Sequence, residues 1–228
     1  MNPTQQQASL SEAGRLTAVA SLGDPVRRKL FELLRESPLA LSRDDCAEAL
    51  ELPKSTIRAH LDRLVSDGLL LVEFRKVGER TGPGSGRPTK LYTVAVDEVA
   101  ASVPARHYDL AAELLAAAVQ LSIDSSVAVE DTLADVAFDA GKRLGAEAGT
   151  IHKLLESAGY DPQPDGAGGT IMANCPFHKL SQEHAGVVCS LNGSLLNGAL
   201  LGCGDCRHTI EPDAELSHCC ARLVPKTT

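Results

Sequence analysis

The chain has 228 residues, 43% of them hydrophobic but only 3% aromatic, with no Trp. That supports real cores built on Leu, Val and Ala, excludes disorder as the basic state, and favours helices over sandwiches and barrels. The net charge of −8 argues against a nucleic-acid partner until the chain is split. Residues 1–100 hold 14 basic and 14 acidic side chains, residues 101–228 hold 8 and 16, and residues 52–90 alone hold 8 and 4. A basic patch on a neutral domain, joined to an acidic domain, suits DNA docking at one end only.

Residues 1–14 are read as a disordered tail. They lack the basic-then-apolar pattern of a signal peptide, and no stretch approaches the ~20 continuous apolar residues of a membrane span. The expectation is a cytoplasmic protein with reduced thiols and no membrane partner. Asp24-Pro25 then reads as a helix N-cap followed by proline at the first helical position. Val26, Leu30, Leu33 and Leu34 recur at helical spacing, opposite Arg27, Arg28 and Arg35. Ser42 opens a second helix, with Asp45 as its capping-box partner. After a turn at Glu51-Leu52-Pro53, a third helix runs from about 54 to 67 with Ile57, Leu61 and Leu64 on one face, and Gly68 ends it.

Residues 69–74 read as a strand, 78–88 as a loop with four Gly and two Pro, and 91–94 as the return strand of a hairpin. Three helices followed by a strand, a basic loop and a strand is the order of a winged helix-turn-helix, placed at 15–97. The third helix would enter the major groove. Its side opposite Ile57, Leu61 and Leu64 offers Lys54, Ser55, Thr56, Arg58, Ala59, His60 and Arg63. Arg58 is the best candidate for a bidentate guanine contact, and Ser55 and Thr56 can reach phosphate or base edges. In the wing, Arg75, Lys76, Arg80, Arg87 and Lys90 suit phosphate or minor-groove contacts.

Beyond residue 97 the composition turns Ala- and Leu-rich. Helices are expected at about 107–122, 125–146 and 149–158, a loop at 161–170, and a helix at about 188–201. The fold class is therefore mainly α: a winged helix-turn-helix plus an α-rich, cysteine-rich sensor and dimerisation domain over 98–228.

Six of the seven cysteines fall between positions 175 and 220. In a reducing compartment such a cluster reads as a metal site before it reads as disulfides. Cys203-x-x-Cys206 with Cys219-Cys220 resembles a zinc ribbon, but adjacent cysteines rarely both ligate one tetrahedral ion, so that reading needs His208 or His218. Cys175, Cys189, Cys203 and Cys219 are separated by 13, 13 and 15 intervening residues, which suits a cluster gripped by separate elements. A thiol redox switch needs only two neighbouring cysteines. Cys46 reads as a small buried hydrophobe, and His178 and His184 as surface or core histidines. Cys175 with His178 lacks an orienting third partner, so the chain is not read as an enzyme.

LGDPVRRKLFELL, STIRAHLDRLVSDGLL and GRPTKLYTV, within residues 20–95, resemble the ArsR/DeoR-type winged-helix repressors. Gly86-Arg87-Pro88, Asn174-Cys175-Pro176-Phe177-His178, Val188-Cys189 and Cys219-Cys220 resemble the SufR group of iron–sulfur-sensing repressors. That resemblance implies a homodimer with a [4Fe–4S] cluster per subunit, binding double-stranded promoter DNA at a two-fold-symmetric operator of cluster-assembly (suf) genes. The ligand set it implies is Cys175, Cys189, Cys203 and Cys219, with Cys206 and Cys220 standing as alternatives within the Cys203/Cys206 and Cys219/Cys220 pairs. A [2Fe–2S] cluster, a structural zinc and a thiol switch stand as alternatives, and the rival class is a metal-trafficking or redox enzyme.

Overall fold

The computed structural model describes residues 10–75, 88–213 and 219–226. The chain divides into two compact units, Met1–Ala101 and Ser102–Thr228, each with its own hydrophobic core.

The amino-terminal unit begins with a helix the sequence did not announce. Helix α1 spans Glu12–Leu22, capped by the Ser11 hydroxyl, which accepts from the Gly14 amide at 3.2 Å. This corrects the expected disordered tail through residue 14. Only Ala18 and Ser21 of α1 are buried, so no apolar periodicity marks it. Helix α2 (Pro25–Glu36) starts as expected: Asp24 Oδ1 accepts from the amides of Val26 and Arg27 at 2.9 and 3.0 Å. It buries Leu30, Phe31 and Leu34.

The dipeptide Leu41–Ser42 forms β1, and Ser42 also opens α3 (Arg43–Leu50) through a complete capping box with Asp45. Glu51 turns the chain in the left-handed region (φ 53°). Helix α4 (Lys54–Ser66) follows, with Ile57, Leu61 and Leu64 buried. Gly68 ends it at φ 76°, where a Cβ would also meet Leu10 Cδ2 at 2.8 Å. Strands β2 (Leu70–Arg75) and β3 (Thr89–Val94) pair antiparallel from Leu70↔Val94 to Arg75↔Thr89. Strand β1 adds to the far side of β3, giving a three-stranded sheet in the order β1-β3-β2. The expected loop at 78–88, with Lys76, Arg80 and Arg87, lies outside the described residues apart from Pro88.

The carboxy-terminal unit holds α5 (Tyr108–Ser125), α6 (Val129–Ala148), α7 (Ile151–Ser157), α8 (His178–Glu183) and α9 (Ala185–Gly202). It also holds a four-stranded antiparallel sheet, β4-β5-β7-β6, made of Pro162–Pro164, Thr170–Met172, Ala221–Pro225 and His208–Pro212. The sheet corrects the expected loop at 161–170, which is a short hairpin. Two prolines disguise β4, yet they are tolerated because it is an edge strand. Asp165 closes the hairpin turn by accepting from the amides of Ala167 and Gly169, both at 2.8 Å, and its carboxylate pairs with Arg222 on β7.

Helices α6 and α9 form the centre of this core and meet backbone to backbone. A Cβ on Gly141 or Gly145 of α6 would lie 1.9 Å from Leu195 O or 2.3 Å from Ala199 O. On Gly198 or Gly202 of α9 it would lie 2.0 Å from Phe138 O or 2.1 Å from Lys142 O. Helix α9 is long and apolar enough by composition to cross a membrane; here Leu191, Leu195, Leu196 and Ala199 are buried in the unit's core.

Candidate nucleic-acid interface and thiol cluster

With Ile57, Leu61 and Leu64 turned into the core, α4 presents Lys54, Ser55, Arg58, Ala59, Asp62 and Arg63 to solvent. Thr56 and His60 are half-buried. His60 turns toward the N-terminus of α2, its Nδ1 3.9 Å from Asp24 Oδ1. Arg75 ends β2 and Lys90 lies on β3, so both flank the hairpin that forms the wing.

Acids that sequence reasoning passed over hold these cations. Lys54 bonds Asp44 at 2.7 Å, Arg63 bonds Asp67 at 2.8 Å, and Arg75 bonds Glu73 at 2.7 Å. Asp62 accepts from Lys90 at 2.9 Å and lies 3.6 Å from Arg58, tying the outer face of α4 to the wing strand. Lys90 also stands over the Tyr92 ring, 5.0 Å from its centroid. The Lys90 ammonium holds the Asp62 carboxyl below its usual range, and Asp62 in turn raises Lys90. Apart from Arg63–Asp67, whose carboxylate is buried, these pairs are exposed and weak, so a phosphate can displace the acid at little cost. The Arg58–Asp62 spacing of four residues was legible in the sequence. The Asp44 and Lys90 contacts are tertiary and were not.

The second candidate site follows from strand register. Antiparallel pairing of β5 with β7 sets Ile171 opposite Arg222, so the end of β5 and the start of β7 share one edge. Cys175 follows β5 and Cys219-Cys220 precede β7. Asn174 secures the loop before Cys175: its amide nitrogen donates to Ala105 O and Gly159 O, and its oxygen accepts from Arg106. Cys189, near the start of α9, completes the group.

The four thiols are linked in series: Cys175 with Cys219, Cys219 with Cys220, and Cys220 with Cys189. Cys175 and Cys219 are buried, while Cys189 and Cys220 are half-buried. Hydrogen bonding with Cys219 lowers Cys175 to about 7 and Cys220 to about 6, and the same contacts push Cys219 well up. Burial drives Cys189 up to about 12. Among the described residues no three His, Cys, Asp or Glu side chains already converge on one point as metal ligands. The sulfurs form a chain of neighbours.

Cys203 is not brought to this group. It caps the far end of α9, 14 residues from Cys189, which is about 21 Å along a helix. Its thiol donates to Gly145 O at 3.3 Å, and with Cys206, Asp205, Arg207, His208 and His152 it lines a separate cavity of about 390 Å³. Asp205 holds His208 Nδ1 there at 2.8 Å. Cys220 stands where Cys203 was expected. His178 bonds Gln182 at 3.2 Å, and Cys46 is wholly buried in the amino-terminal core.

Sequence reasoning also missed Asn192 and Tyr160. Asn192 lies three residues after Cys189 on the same side of α9, and unlike the exposed Asn197 of the same helix it is buried, which the sequence does not reveal.

Residues 22–73 match the helix-turn-helix domain family. No curated protein sequence matches the chain. The matched span runs from the end of α1 into β2 and includes the turn between α3 and α4. With the three-stranded sheet beside it, the amino-terminal unit is a helix-turn-helix DNA-binding domain of the winged-helix type, and the chain is a DNA-binding transcriptional regulator.

Proposed function

We infer that the chain is a homodimeric repressor that reads the supply of iron–sulfur clusters and controls the genes of cluster assembly from a two-fold-symmetric promoter operator. The observation that supports this most is the gathering of Cys175, Cys189, Cys219 and Cys220 from three separate elements, in a chain whose other unit binds DNA. The donor chemistry suits the group, since cysteine thiolates are the ligands of iron–sulfur clusters. Cys175, Cys189 and the Cys219-Cys220 pair would hold a [4Fe–4S] cluster, with Cys220 in place of Cys203. A bound cluster supplies a centre sensitive to oxygen and to iron supply.

Tying Cys175 to Cys219-Cys220 fixes the β5–β7 edge, and tying Cys189 fixes the first turns of α9. The glycine contacts make α9 and α6 one rigid pair, so order at Cys189 reaches the body of the unit. Operator affinity then depends on whether these thiols are held or free, as in any two-state linkage.

The test is an anaerobic preparation of the full chain, with iron, acid-labile sulfide and zinc counted per chain and promoter binding measured before and after stripping. Brown protein with iron and sulfide, and weaker salt-dependent binding after stripping, is the expected result. Colourless, zinc-loaded protein, or equal promoter affinity in both forms, overturns the reading.

A further inference from the structure

Asn192 is 1% exposed and Tyr160 is wholly buried, and both sit against the thiol group. Each end of the Asn192 amide is used. Its Oδ1 accepts from the Tyr160 hydroxyl at 2.5 Å, and its Nδ2 donates to Cys219 Sγ at 3.5 Å and to Cys220 Sγ at 3.8 Å. A buried amide on the core side of a helix is unfavourable unless its hydrogen bonds are made, and here the partners on one side are two sulfurs. A leucine would fill the same space without that requirement. The Tyr160 hydroxyl draws charge toward Oδ1 and so strengthens the N–H donors that face sulfur.

We propose that Asn192, held by Tyr160, is a positioning residue for the sulfur centre: it aims two N–H groups at Cys219 and Cys220 and stabilises negative charge on them. The proposal rests on the sulfur-centre reading above, and it adds what sets that centre's reduction potential. Hydrogen bonds to ligand sulfurs stabilise the reduced, more negative state and therefore raise the potential. The relay does this from inside the protein, where Asn192, Tyr160 and Cys219 are all buried. Cys189, one turn earlier on the same helix, shares the arrangement, so α9 supplies both a thiol and the donor that steadies its neighbours.

Two measurements on the full chain test it. In reduced, metal-free protein, the Asn192 side-chain amide resonances are followed by NMR. They are expected to shift in Cys219→Ser, Cys220→Ser and Tyr160→Phe and to stay in place in Cys206→Ser. Indifference to the first three overturns the relay. In iron-loaded protein, Asn192→Leu is expected to lower the reduction potential and to lose iron to a chelator about fivefold faster, the scale of one net hydrogen bond. Tyr160→Phe, a milder change, should move the potential the same way by less. A wild-type potential in Asn192→Leu overturns the tuning role, because packing loss alone would change stability and leave the potential in place. Should the wild-type chain take up no iron, the sulfur-centre reading fails, and the resonance measurement alone decides whether the relay exists.

Discussion

Helix α4 buries one stripe of three aliphatic side chains and leaves most of the others exposed, whereas α9 has most of its apolar residues in the core and touches α6 through bare backbone. The difference decides where each helix can carry function. On α4 the working groups face outward, so they can change without disturbing the fold. On α9 the working groups, Cys189 and Asn192, face inward, and their placement is part of the packing itself.

The contrast breaks most sharply at Gly198. Its Cβ would lie 2.0 Å from Phe138 O, and neither backbone can move aside without separating α6 from α9. Gly198→Leu is expected to cost more than about 4 kcal/mol and to abolish the carboxy-terminal unit's melting transition in circular dichroism. Gly193, in the same helix, has open space around its Cβ position, so Gly193→Ala should gain up to about 1 kcal/mol. Equal behaviour of the two variants would show that the close approach does not hold the unit together.

On α4 the corresponding test is functional. Arg58 is exposed and its contact with Asp62 is loose at 3.6 Å, so Arg58→Ala should leave the thermal transition in place. Specific promoter affinity should fall by about 1–3 kcal/mol, with binding to unrelated DNA much less affected. A uniform loss across sequences would make Arg58 a phosphate contact.

The fold was legible where local chemistry and surface periodicity coincide. Asp24-Pro25, the Ser42/Asp45 capping box and the Ile57, Leu61, Leu64 stripe each specify their element from within a few residues, and all three stand in the structure. The carboxy-terminal sheet was not legible, since β4 and β5 have three residues each and are defined by partners far along the chain. The thiol site was half legible for the same reason. Nearly even cysteine intervals suggested evenly spaced grips, but an unbroken α9 carries Cys203 away from Cys189. Strand pairing, invisible in the intervals, delivers Cys220 instead.

A smaller effect is expected at Asp62, the one acid on the outer face of α4. Asp62→Asn removes a negative charge from the DNA side and frees Lys90 and Arg58 to meet phosphate. Promoter affinity should rise roughly threefold, within the range of a surface charge contact, and its salt dependence should steepen. Weaker binding in this variant would mean that Asp62 is needed to aim Lys90.

The smallest expected effect separates the two kinds of cysteine. Cys46 is wholly buried between α3 and its neighbours, and burial, helped by Asp45, pushes its thiol up to about 11 from an ordinary value of 9.0. Over that interval the unfolded chain releases a proton that the folded chain keeps. The folded state therefore binds more protons, and the stability this group contributes falls as pH rises from about 9 toward about 11. Below pH 9 the contribution is complete and flat. Denaturation of the amino-terminal transition across this range should show the decline in the wild-type chain and a shallower one in Cys46→Ala. Alkylation of the native, reduced chain at neutral pH should leave Cys46 unmodified while exposed Cys206 reacts. Rapid labelling of Cys46 would mean that the amino-terminal core opens easily, and the clean division between an inert thiol in one unit and working thiols in the other would not hold.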